Sequence, residues 1–505
     1  MKKYIYKIAL FALVTTAWNC DSYLDVNHDP DVLEETDSPE IILPSAQASL
    51  GNNLMGWDFG FAGGFWNEYW TQTYTASQFK TLCEYEETGF SNQYTGLTAG
   101  TLSDLDMIKK LSGSADNQGY YYIAEALSIY TWQVMTDIWG DIPYSEALQG
   151  NTIKSPVFDP AESIYADLIN RVDDLLAIDN STFSIRSQYD FIYEGDMDAW
   201  KKFVASLKLK LMLRQSETTG YNNGQVLAFV NSNSFLTSSA KIAGSYWDDS
   251  AEGKRHPMRE YEAGGASYLS TNVIGCKTFV DYLNVNSDPR LDALFTAPSS
   301  GHQGAFFGDF DSKADSNSNG TTDDQEDYSE PIFKGDMDLM IMSDWEVYFY
   351  LAEVYTRASD MTNAKAYYDM AVEASLAQND ITDNSILTSG YATWTNGSIE
   401  DGIKMIAMQK WVANANYQHI ESFLERNRTK YPSVSEMDIK ADRQNAFLNF
   451  PVGQLTISVN GRDKTNGFLP AAPVYPSNVL NSNVNSPGQK VNLLEKIWWN
   501  KKAGK

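Results

Sequence analysis

The chain has 505 residues, long enough for a large core, and with 43% hydrophobic and 21% charged residues it reads as globular rather than disordered. Its 66 acidic against 38 basic residues leave a formal net charge of −28, a field that repels nucleic-acid phosphates and anionic lipid surfaces and suits a neutral or cationic ligand. The three cysteines, Cys20, Cys83 and Cys276, form no CxxC pair and so give no support to a zinc site or a disulfide framework.

In chain order, Lys2, Lys3 and Lys7 precede a short apolar run from Ile8 to Trp18, the pattern of a secretory signal over residues 1–19 and too short for a spanning helix. The run ends at Cys20, which is read as the lipid-bearing residue of a bacterial lipoprotein; acyl chains anchor such a protein without a spanning helix. No later stretch is apolar enough to span a membrane. After a polar lead-in from Tyr23 to Glu40, helical periodicity dominates. Ile123, Leu127, Tyr130 and Val134 form one stripe. Asp159-Pro160-Ala161-Glu162 signals a helix start with Asp159 as the cap, and Ile164, Leu168, Val172 and Leu175 follow on one face. Trp200, Val204, Leu207 and Leu211 form another face, with Lys201, Lys202, Lys208 and Lys210 expected on the solvated side. Ser343 with Glu346 reads as a capping box opening a tetratricopeptide-type pair, with Tyr348, Leu351, Ala352 and Tyr355 on its first helix and Ala364, Tyr368 and Ala371 on its second. Ser398 with Asp401 opens a last pair carrying Ile403, Ile406 and Trp411, then Gln418 to Arg428.

The expectation is a mainly α fold in one domain over 20–505, with tetratricopeptide-type helical pairs as a scaffold at roughly 118–180, 196–232, 343–378 and 398–428. Long irregular loops over 51–102, 237–331, 380–397 and 429–490, rich in Gly, Ser, Asn and aromatics, would build the ligand-binding half.

Several segments in order along the chain carry a resemblance. They are Cys20 to Asn27, Tyr122 to Tyr130, the turn Asp137-Ile138-Trp139-Gly140-Asp141-Ile142-Pro143-Tyr144 continuing to Ala147, and Trp200 to Arg214. Asp288-Pro289-Arg290-Leu291, Glu346 to Glu353, Gln409 to Glu421, Arg426 to Pro432, and Tyr475-Pro476-Ser477 with Asn481 and Asn485 complete the set. Together they resemble the SusD/RagB nutrient-binding lipoproteins of Bacteroidetes. The resemblance implies four tetratricopeptide-type pairs and a ligand site on the irregular half, usually for an oligosaccharide and in some relatives a peptide. It also implies an outward-facing, lipid-anchored place in the cell outer membrane as the lid of a SusC-like TonB-dependent transporter. The turn from Asp137 to Tyr144 also has a plain structural role: Gly140 and Pro143 break the helix, while Asp137 and Asp141 can cap nearby amides.

No enzyme motif opposes this reading. His28, His256, His302 and His419 show no metal-ligand spacing, neither HExxH nor GxSxG occurs, and no catalytic residue or organic cofactor is expected. The alternative enzyme, a glycoside hydrolase, needs only two carboxylates, which 66 acidic residues supply without information. A sugar is met by flat aromatic rings on its CH faces and by polar groups on its hydroxyls, so Trp57, Trp247, Phe306, Phe307 and Trp394 in the loops are the expected platforms, with Asn92 and Arg259 as polar partners. Trp66, Trp70 and Tyr74 fall at helical spacing and are assigned to the core.

The sharpest local motif is the stretch from Asp315 to Glu326, which satisfies D-x-[DN]-x-[DN]-G-x5-E. Calcium wants six to eight oxygens. Asp315, Asn317 and Asn319 would offer side-chain oxygens, Thr321 its carbonyl, Asp323 a direct or water-bridged bond and Glu326 both oxygens, with Gly320 allowing the turn. No amphipathic helices flank the loop, so it is expected as a calcium-ordered insertion holding Phe306 and Phe307 rather than as an EF-hand.

Overall fold

The computed structural model describes residues 38–505 apart from 151, 264, 266, 311–324 and 396. The fold is mainly helical. Its longer helices are α1 (Pro39–Leu54), α2 (Ser103–Leu111), α3 (Gln118–Trp139), α4 (Ala161–Ala177), α5 (Met197–Arg214), α6 (Asn223–Ser232), α7 (Lys277–Val285), α8 (Asp344–Arg357), α9 (Met361–Gln378), α10 (Ile399–Ala413) and α11 (His419–Thr429). Four pairs of consecutive helices, α3–α4, α5–α6, α8–α9 and α10–α11, form a scaffold in which α4 packs on α5, and α8 touches α5, α6 and α10. Only short strands occur among the described residues. β1 (Trp70–Gln72) pairs antiparallel with β3 (Val273–Gly275), and β2 (Ala240–Ile242) with β4 (Leu339–Met342).

Local chemistry explains the boundaries. α3 is buried along nearly its whole circumference, from Tyr122 to Trp139, because α2, α4, α5 and the segment before α2 surround it. It stops at Gly140, whose φ of +83° suits glycine. The turn that follows corrects one expectation. Asp141, not Asp159, caps α4, its Oδ1 accepting the Ala161 amide at 2.8 Å. Asp159 instead accepts the Tyr144 and Ser145 amides at 3.1 and 2.8 Å, folding the turn onto the start of α4. Ser398 and Asp401 form a complete capping box, whereas Ser343 provides only half of one. Ser343 Oγ accepts the Glu346 amide at 3.1 Å, but the Glu346 carboxylate turns inward to Lys210 and Gln418.

That inward turn belongs to a buried ion network, and it overturns the assignment of Lys210 to a solvated face. α5 is covered on both sides, so Lys210 is 1% exposed and pairs with Glu346 at 2.8 Å and Glu421 at 2.9 Å. Lys208 lies over the Phe229 ring and pairs with Asp173. Arg214 reaches Asp137 at 2.9 Å, Glu421 at 2.7 Å and Glu425 at 2.6 Å. Asp137 is therefore an ion-pair partner inside the scaffold rather than an amide cap. Arg428 joins Glu353 and Glu425 at 2.6 and 2.8 Å. Burial pushes the Glu353 carboxyl up, but Arg428 and Arg357 outweigh it and hold it at about 2. Asp288 and Arg290 form a further fully buried pair, closed by Gln409.

The stretch from Gly51 to Leu102 is not the irregular loop its composition predicts. After α1 it forms a π-helical turn (Trp57–Ala62), a helical turn (Gly63–Trp66), β1, a helical turn (Ser91–Thr95) and a second π-helical stretch (Gly96–Leu102) leading into α2. Its aromatics make it core: Phe59, Phe61, Phe65, Trp66, Tyr69 and Trp70 are all at most 2% exposed. Trp66 and Trp70 thus lie where they were assigned, although Trp70 sits on a strand.

Candidate ligand-binding site

The π-helical turn places Trp57 and Asp58 at the edge of a cavity. Such turns are uncommon and recur at functional positions. Gly56 opens the turn where the chain passes close to a neighbour: a Cβ there would meet Gln93 Nε2 at 2.2 Å. The approach is used, because Gln93 Oε1 accepts the Asp58 amide at 2.8 Å, while Asp58 Oδ2 accepts the Asn92 amide at 3.2 Å. From behind, the turn is clamped to α11. His419 Nε2 accepts the Asn416 amide at 3.0 Å, which leaves Nδ1 to donate to the Gly60 carbonyl at 2.8 Å. Burial pushes this imidazole down to about 4, so it is neutral there. Gly63 abuts His419 so closely that a Cβ would lie 2.7 Å from its Cβ.

The cavity has a volume of about 420 Å³, within the ordinary range for small-ligand sites. Trp57, Phe79 and Phe90 give it an aromatic wall, and Asp58, Gln78, Thr81, Glu86, Glu87 and Thr88 give it a polar rim. The Trp57 ring is half-buried and braced by Phe61, Phe79, Tyr261 and Tyr268 at centroid distances of 5.1 to 5.3 Å, two of them edge-on. A ring held on several sides meets a ligand without paying much ordering entropy. Burial raises the Asp58 carboxyl above its usual range, against the amides of Gln93 and Asn92.

The other expected platforms lie elsewhere. Trp247 is half-buried, but its Nε1 donates to the Met337 carbonyl at 2.9 Å and its ring meets His256 edge-on, outside this cavity. Phe306 and Phe307 are not a loop tip. Phe306 is 8% exposed among Ile439, Ala446 and Val459, and Phe307 is fully buried near Tyr85. Their flanking glycines signal close packing rather than freedom: a Cβ on Gly304 would lie 2.6 Å from the Lys277 amide nitrogen, and one on Gly308 would lie 2.2 Å from Ser458 Oγ. Trp394 is 7% exposed and packs on Tyr368, despite its polar neighbours in sequence. Asn92 stands beside the cavity through its amide, while Arg259 is engaged by Asp249 through two bonds of 3.0 and 2.8 Å. Sequence reasoning passed over Asp58, Gln78, Phe79, Glu86 and Glu87; the acidic run around Tyr85 between Phe79 and Phe90 was the available signal.

Cys20 and the calcium-loop positions Asp315, Asn317, Asn319, Thr321 and Asp323 lie outside the described residues, and Glu326 is exposed in a short helical turn (Gln325–Asp327). No group of three His, Cys, Asp or Glu side chains suited to a metal occurs among the described residues. Among them, no helix is long and apolar enough to cross a membrane.

Two other arrangements are less suited to a ligand. A groove of about 610 Å³ along α3 and α4 includes Trp132, Tyr144, Glu125 and Arg171. Its polar groups satisfy one another: Glu125 pairs with Lys109 and Arg171, and Arg171 covers the Tyr144 ring. Asp292, His302 and Ser329 form a chain of bonds of 2.8 and 3.0 Å that mimics a hydrolytic triad. Its burial is inverted, with Ser329 fully buried and the Asp292 side chain 87% exposed, so the hydroxyl has no access to a substrate.

Among curated proteins no match is found. Solved structures match over nearly the whole fold. A SusD homolog from Bacteroides uniformis superposes with a TM-score of 0.71 at 21% identity, covering 91% of this chain and 99% of its own. A chitin-binding SusD homolog from Flavobacterium johnsoniae gives 0.69 at 17% identity over 92% and 99%, and a SusD homolog from Bacteroides fragilis gives 0.65 at 20% over 93% and 100%. The SusD-like family profile, described as starch-binding and associating with the outer membrane, matches residues 32–450. With that profile spanning most of the chain, and the helical pairs built as described, the protein belongs to the SusD-like family.

Proposed function

We propose that this protein is a lipid-anchored, outward-facing outer-membrane protein that captures an oligosaccharide in the Trp57 cavity and passes it to a SusC-like TonB-dependent transporter, without altering it chemically. The observation that carries the reading is the braced, half-buried Trp57 ring opening on a rim of hydroxyl, amide and carboxylate groups, the pairing of surfaces a sugar requires. The starch-binding description of the family and the chitin-binding relative support a glycan as the cargo.

Binding of soluble starch, chitin and cellulose oligosaccharides, followed by calorimetry, tests it. Trp57→Ala lowers affinity for the bound sugar about tenfold, the scale of one lost stacking contact. Because that ring also packs on four others, Gln78→Ala at the exposed rim serves as the second variant and weakens binding without lowering the melting temperature. Sugar binding that both variants leave unchanged moves the site elsewhere; binding of peptides but no sugar replaces the glycan with a peptide cargo.

The twelve-residue motif from Asp315 to Glu326 supports a structural calcium ion as part of this proposal. The described chain on either side is well tied down. Asp309 pairs with Arg443 at 2.9 Å before it, and Ser329 bonds to His302 after it.

A further inference from the structure

We infer that the Trp57 cavity selects its glycan by charge, favouring amine-bearing sugars over neutral ones and rejecting uronates. The inference rests on the glycan-capture reading and adds the class of sugar. The site is marked by its aromatic wall; the carboxylates decide what that wall accepts. Asp58, Glu86 and Glu87 all line the cavity, and no lysine or arginine does. Two nearby cations are already engaged, one of them by a rim carboxylate. The Lys80 ammonium lies 5.4 Å from the centroid of the Phe310 ring, and Lys464 pairs with Glu86. Asp58 is held by backbone amides rather than by a cation, and Glu87 is exposed at the rim. Two carboxylates therefore act on the cavity without a countercharge lining it. Apolar walls concentrate such a field, and the chain's net charge of −28 has the same sign. A sugar ammonium gains the carboxylates and a cation–π contact with the Trp57 face. A neutral sugar gains stacking and hydrogen bonds alone. A uronate meets repulsion and finds no lining cation to pair with.

The test is calorimetric titration of the full-length protein with three hexamers of one β-linked backbone type: chitosan with free amines, a neutral cello-oligosaccharide, and a polyuronate. Affinity falls in that order by about tenfold per step at low salt, and the steps shrink at high salt as screening grows. Glu87→Gln, at an exposed position, narrows the gap between amine and uronate, and Asp58→Asn, which keeps its acceptor for the Asn92 amide, narrows it further. Equal affinities, tightest uronate binding, or a gap that neither variant moves overturns charge selection and leaves glycan capture standing. Binding of none of the three, nor of the starch and chitin sugars above, overturns both.

Discussion

At the scale of single residues, Glu68 ties the stability of the fold to pH. It sits fully buried at φ +56°, its Oε2 accepting the Thr278 hydroxyl at 2.7 Å and the Thr456 amide at 3.1 Å. Burial pushes its carboxyl up to about 8, outweighing those bonds and the charge of Arg426. An acid whose folded value lies above its unfolded one loses stability as pH rises. Between about 4.5 and about 8 the unfolded chain releases a proton that the folded chain keeps, so the cost grows across that window to about 3 kcal/mol at pH 7. Glu68→Gln removes the cost while keeping an acceptor. The two proteins melt together near pH 4.5, and the variant gains steadily as pH approaches 8. Parallel melting curves across that range refute the assignment. Phe307 gives a second residue-level contrast with Trp57. Its truncation to Ala removes a fully buried ring and costs about 3–5 kcal/mol in denaturant unfolding, with sugar affinity in the folded protein unchanged.

At the scale of elements, the helical pairs were legible because their apolar positions repeat at 3.6 residues and because Ser343 and Ser398 mark two of their starts. Ser398 with Asp401 does in the structure what its spacing predicts. Asp159 misled because a capping signal names a residue type and not the neighbour that reaches the amide; Asp141 arrives from 20 residues upstream. Lys210 misled because a charged residue between apolar ones reads as solvated, whereas its partners come from α8 and α11, far away in sequence. Aromatics in polar company were taken for platforms, yet Trp394 and Phe307 are covered by elements no local window contains. Trp57 was singled out in the sequence and lies at a cavity in the structure; of the carboxylates beside it, the run around Tyr85 left a trace in the sequence, whereas the lone Asp58 carried no pattern. The ion network makes its own prediction. Arg214→Ala leaves Asp137, Glu421 and Glu425 buried with one fewer cation and lowers stability by about 3–5 kcal/mol. Urea unfolding measures it, and a loss below 1 kcal/mol, roughly that of a surface pair, shows the network to be hydrated and weak.

At the scale of the whole molecule, two sequence motifs await experiment. Cys20→Ala moves the protein from the membrane to the soluble fraction of cells if that residue carries the lipid anchor, and unchanged membrane retention dismisses the anchor. Calcium added to chelator-treated protein raises the melting temperature, by the equivalent of about 2.7 kcal/mol at a hundredfold excess over Kd. The double variant Asp315→Ala, Glu326→Ala abolishes that rise; a rise that persists in it places the ion at another site.

The clamp between the Trp57–Ala62 turn and α11 has a consequence for how the protein is made. Tyr69 donates to the carbonyl of Trp411, 342 residues later, and Asn67 reaches His419 across 352. Synthesis proceeds from the N-terminus, so the aromatic cluster around Phe61, Phe65 and Trp70 is made long before its lid exists. Closing contacts of that length is slow. Until α10 and α11 emerge, the cluster lacks the contacts that close it, and a chain interrupted before residue 411 leaves those rings open to aggregation or proteolysis.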